Sequence, residues 1–151
     1  MAASAWVIYN KFKEYMGDNT IDLDGDVFRL GLYTSASNAG TATLSTRGSV
    51  TNEVTGANGY TTGGMTLAGV TWATGASAGE MRFDATATIW SASGGNIANI
   101  KYAVLYDETT GASAGNRNLV ASSQLSSAQF TVTDGNTLTI TPSANGIFEL
   151  N

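Results

Sequence analysis

With no histidine and no cysteine, this 151-residue chain leaves its carboxylates, hydroxyls and lysines to carry any chemistry. The densest acidic run is "DLDGD", which sets Asp22, Asp24 and Asp26 at alternate positions. On an extended chain they would share one face, as a hard cation such as calcium requires. An EF-hand loop is not completed. With the aspartates at its first, third and fifth positions, the required glycine falls on Val27 and the twelfth position on Tyr33. The plainer reading is a solvated acidic turn leading into the first strand. Glu80, Asp84, Asp107 and Glu108 could be paired for sugar hydrolysis, which needs two carboxyls facing across a cleft, but no spacing singles out a pair. They read as ordinary surface acids. Without histidine the commonest general base and metal ligand are missing, and without cysteine there is no thiol nucleophile, disulfide or thiolate site. "GANGYTTGG" has the glycines of a phosphate cradle but no Lys-Ser/Thr and no helix start, and no GxSxG occurs. The sequence therefore predicts no enzyme, no cofactor and no metal.

Net charge is −5 and only 13% of residues are charged, so Thr, Ser, Asn and Gly must cover the surface. An acidic chain without a basic cluster predicts no nucleic-acid partner. No apolar run approaches a membrane span, and "MAASAWVIYNKFKEYMG" lacks the order of charges and apolar residues expected of a secretion signal.

The elements that would position contact residues follow from periodicity. Ala5, Tyr9, Phe12 and Met16 recur at helical spacing, predicting a helix over 3–16 with Ser4 as cap and Gly17 as stop. The period then changes to two. Strands are expected at 27–33, 65–73, 81–89, 98–107, 118–124, 128–133, 137–141 and 146–150. The clearest is 81–89, where Met81, Phe83, Ala85, Ala87 and Ile89 alternate with polar residues. Residues 98–107 are apolar on both faces, as a central strand would be. One helix and many short strands predict an all-β fold, a jelly-roll-like antiparallel β-sandwich in a single domain. Residues 34–64 are the exception. Their only large apolar side chains are Leu44, Val50, Val54 and Tyr60, with a short strand expected near 49–54. So polar a loop is expected to add little core and to be ordered by neighbouring molecules as a docking arm.

The stretches "GDNTIDLDGDVFRLGLYTSAS", "NEVTGANGYTTGGMTLAGVTW", "KYAVLYDETTG" with "LVAS", and "TVTDGNTLTITPSANGIFELN" occur in that order. Together, from about residue 8 to 151, they resemble a group of small structural proteins of tailed bacteriophages that includes capsid decoration (cement) proteins. A Trp often precedes the final strand in that group, where this chain has "ITPSANGIF". The resemblance implies a β-sandwich that binds the outer head surface as a homodimer or homotrimer and clamps adjacent major capsid protein subunits. It implies no enzyme activity. Trp6, Tyr9, Phe12 and Tyr60 are the candidate partner-contact residues, since Trp and Tyr favour interfaces; the helix aromatics could equally cover an open end of the sandwich. A tail- or fibre-associated module is the alternative within the virion. From another class, a carbohydrate-binding β-sandwich would use Trp72, Trp90 and Tyr60 against a host glycan.

Overall fold

A computed structural model describes residues 4–151. The chain enters as a strand. β1 (Val7–Ile8) precedes α1 (Asn10–Gly17), and Ser4 lies in extended chain, where it is bonded to Gln124. The helix expected over 3–16 is therefore shorter at its start, residue 3 lying outside the described residues. Ala5 to Ile8 suit either period, and the free edge beside Ala121 and Ser122 decides for the strand. At the other end Asn19, with φ 60°, takes the left-handed position expected of Gly17.

Then follow β2 (Phe28–Thr34), β3 (Met65–Thr66), β4 (Thr71–Thr74), β5 (Met81–Asp84), β6 (Thr88–Ser91), β7 (Ile97–Asp107), β8 (Leu119–Gln124), β9 (Phe130–Val132), β10 (Thr137–Ile140) and β11 (Phe148–Leu150). Every pairing is antiparallel. The large sheet runs β1-β8-β7-β2-β3, with β9 on β7, and two small sheets, β11-β5-β4 and β10-β6, accompany it. This is an all-β sandwich with one N-terminal helix.

The strand expected over 81–89 is two strands in different sheets. Alternation breaks at 85–87 and its parity inverts, so Trp90 is buried and Ile89 is 49% exposed. Burying the indole removes more apolar area from water than burying Ile89 would. The strand expected over 65–73 is likewise broken, at Gly69 (φ 59°). In β7 a bulge beside Tyr33 and Thr34 puts Ile100 on the face of Ala103 and Leu105, opposite Tyr102 and Val104.

The large sheet carries a core on each face. Phe28, Leu30, Leu32, Ile100, Ala103 and Leu105 face the small sheets and pack with Phe12, Phe83, Trp90 and Phe148. On the opposite face Tyr33, Val104, Tyr106 and Leu119 pack with Tyr9, Ala39 and Val50. The first part of the polar segment, through Ala39, Leu44 and Val50, thus covers the second core, while its Val54 and Tyr60 join the first. Few large side chains suffice, because the sheet itself supplies most of the apolar surface. In place of the strand expected near 49–54 there is a 3-10 turn at Arg47–Ser49 and a single bridge between Tyr33 and Glu53.

Candidate interaction surface

Glu53 fastens this cover. One carboxylate oxygen accepts Arg47 Nη2–H at 2.8 Å; the other accepts the Tyr60 hydroxyl at 2.7 Å and the Gly63 amide. The Tyr60 oxygen in turn accepts Leu32 N–H of β2 at 3.0 Å, and the Tyr106 hydroxyl donates to Gly63 O. Arg29 donates to Gly64 O at 2.7 Å, and the Arg47 guanidinium lies 5.4 Å from the Tyr106 ring centroid. Burial, and next the Glu53 charge, push the Tyr60 hydroxyl far above the ordinary phenol range. Gly64 has φ 70°, and a Cβ there would sit 1.9 Å from Leu30 O. Only glycine brings the backbone this close to β2. The segment is held by bonds within its own chain, which corrects the expectation that neighbours must order it.

Three of the four residues expected at a partner contact lie inside. Tyr9 is 1% exposed, Phe12 0% and Tyr60 2%. Their size and apolarity, which suggested an interface, serve the two cores instead. Burial also pushes the Tyr9 hydroxyl up to about 12, and it donates to Ala39 O at 2.6 Å. Trp6 remains on the surface, half-buried against the first core. Of the glycan candidates, Trp90 and Tyr60 are buried and Trp72 is half-buried.

The acids are spent on local structure. Asp26 and Asp22 accept the amides of Asp22 and Asp24, closing their own loop. Glu80 accepts Ser77 N–H, Asp84 accepts Ala85 N–H, and Glu108 pairs with Arg29 and Arg117 at 4.0 and 3.7 Å. Asp107 is fully buried and accepts from Thr109 N–H and from the Thr110 hydroxyl and amide. Burial first, with nearby Asp26 adding to it, pushes its carboxyl up to about 6, against the hydrogen bonds from Thr110 and Thr109. Among the described residues no three His, Cys, Asp or Glu side chains are grouped to hold a metal. All four arginines are engaged with chain acids or carbonyls, and of the three lysines Lys11 pairs with Glu14.

Two recesses beside the C-terminal strand form the remaining surface of interest. One, of about 550 Å³, is lined by Trp6 and Ile8 of the N-terminal segment with Leu125, Ile140 and Ile147. The other, about 460 Å³, lies between α1 and the small sheet, where Met16, Ile21, Trp72 and Leu150 meet. Phe148 joins them from beneath. Its ring stacks on Phe83 at 5.2 Å, meets Phe12 edge-on at 5.5 Å and lies 6.4 Å from Trp72. Each recess thus shows a half-buried tryptophan whose support is the core itself, which fixes its orientation. Sequence reasoning reached Trp6 through the wrong element. It missed Ile140 and Ile147 because strand alternation does not reveal which strand ends converge.

Among the described residues no helix is long and apolar enough to cross a membrane. Comparison of the chain with protein-family models, curated proteins and solved structures returned no match.

Proposed function

We propose that the protein is a non-enzymatic virion structural protein of a tailed bacteriophage, a capsid decoration protein that binds the outer head surface and bridges major capsid protein subunits. The ordered stretches described above support the phage assignment. The observation that carries the contact role is the pair of tryptophan-bearing recesses on either side of β11. Oriented aromatics in partly desolvated recesses are what a protein partner anchors on. Sealing the second core with a pinned segment suits a module that must stay folded while it binds. Many copies on a shell let each contact be weak, since linked engagement multiplies effective affinity.

Heads lacking the protein should bind it in co-sedimentation, and Trp6→Ala should weaken that binding at least about tenfold while the variant stays folded. Sedimentation with tails alone would move the assignment to the tail or fibre. Half-exposed Trp72 favours the glycan reading as the second choice. Binding on a glycan array together with no binding to heads would establish it instead.

A further inference from the structure

The outer edge of β4 is an open ladder with no protection. Gly75 N–H donates to Glu80 O at 2.9 Å. In the same register Thr71 faces Asp84 and Ala73 faces Arg82, so antiparallel alternation directs the backbone groups of Thr71 and Ala73 toward β5. Those of Trp72 and Thr74 then point off the sheet. β4 pairs only with β5, and among the described residues no other hydrogen bond reaches the Trp72 or Thr74 backbone.

Sheet edges in native proteins are normally blunted by charge, proline, a bulge or very short length. The run "VTWATGAS" (70–77) has no charge and no proline, and its pairing with β5 has no bulge. The edge of β6 is uncharged as well, but Gly59 lies against it, so close that a Cβ there would sit 1.9 Å from Ser91 O, and the edge strand β9 has only three residues. β1 and β3 have two residues each, β11 carries Glu149, and β10 ends two residues before Pro142.

We propose that β4 pairs antiparallel with β4 of a second copy of this chain, about a two-fold axis through Ala73. Trp72 of each copy then faces Thr74 of the other. Each of these two pairs exchanges two backbone hydrogen bonds, so the eight outward N–H and C=O groups of Trp72 and Thr74 in the two copies are all satisfied. Ala73 meets its own counterpart at a non-hydrogen-bonded position, where Cα atoms approach to about 4.5 Å and a small side chain fits. The two three-stranded sheets become one of six strands. A second copy is favoured over a different protein because two-fold pairing sets this edge against its own copy, Ala73 on Ala73 and Trp72 on Thr74. In a chain of charge −5, that is tolerable only along an uncharged run. Two-fold contacts of this isologous kind are also the commonest in oligomers. The pairing supplies the self-contact of the proposed decoration protein but stands on edge geometry alone. Dimers that ignore heads would sink the head assignment and leave the pairing intact.

Sedimentation equilibrium of the isolated protein, with amide exchange by NMR, tests it. A concentration-dependent dimer is expected, with Trp72 and Thr74 amides gaining protection as it forms while the Ala73 amide is protected throughout. Thr74→Pro removes one outward donor, and Ala73→Lys places two like charges at the axis without touching the ladder. Each should weaken the dimer at least about tenfold. If Thr74→Pro does not fold, Ala73→Lys carries the test alone. A protein monomeric up to about 1 mM overturns the proposal. So does a dimer that Ala73→Lys leaves unchanged, or protection of Trp72 and Thr74 that arises only when heads are added.

Discussion

Replacing Glu53 with alanine tests whether the polar segment is a structural cover. The substitution removes the acceptor for Arg47 Nη2–H, for the Tyr60 hydroxyl and for Gly63 N–H. Hydrogen bonds to a charged group contribute about 1.5–3 kcal/mol each, and removing one member of a buried pair costs about 3–5 kcal/mol because the other charge is stranded. The side chains of Arg47 and Glu53 are 15% and 17% exposed, so water partly compensates. The expected loss is therefore about 2–4 kcal/mol, a large share of the stability of a domain this size. Urea denaturation of the isolated protein measures it. Hydrogen exchange should show faster opening at 47–64 than in β7. A loss below about 0.5 kcal/mol, or a wild-type segment exchanging as freely as an open loop, would refute the pinned cover.

Further outcomes follow from the same contacts. Gly64→Ala should destabilise by about 2–4 kcal/mol, because a Cβ meets Leu30 O and the positive φ strains any side chain; Gly17→Ala, with nothing within 4 Å, should be neutral or stabilising; thermal melts of the two compare them directly. Deleting residues 1–17 should unfold the protein, since Tyr9 and Phe12 are lost from opposite cores, and Phe12→Ala alone should cost about 3–5 kcal/mol in denaturant titration. The buried Asp107 carboxyl titrates near 6 in the fold, above its unfolded value near 4. The native state therefore holds more protons in that window, and stability should fall by about 1–3 kcal/mol as pH rises from about 4 to about 6, then level off. Asp107→Asn should flatten that slope, and a slope unchanged in the variant would assign it to other groups.

The sandwich was legible because local patterns agreed with it. Residues 98–107 read as a central strand, and β7 (Ile97–Asp107) is one, apolar on both faces because each face meets a core. What covers the second face was not legible. Ala39, Leu44 and Val50 are spread along a polar run and show no period, and the Glu53 network joins residues brought together only by the loop path. The short N-terminal strand was hidden because "AWVI" fits a helical stripe as well as an edge strand, and only the sheet edge beside β8 discriminates. At 85–87 the alternation is real in sequence, yet Trp90 overrides it. For the contact surface, sequence reasoning identified Trp6 but also the aromatics most useful to the cores. Residue type marks interface and interior alike, and exposure separates them only once the chain is folded.

The proposed place of the protein on the phage head is tested most directly by a cryo-electron microscopy map of the assembled virion. The expected density is a β-sandwich repeated over the outer head lattice, with the Trp6 recess against major capsid protein. Density for this chain confined to the tail or fibres, or its absence from the virion, would contradict the assignment.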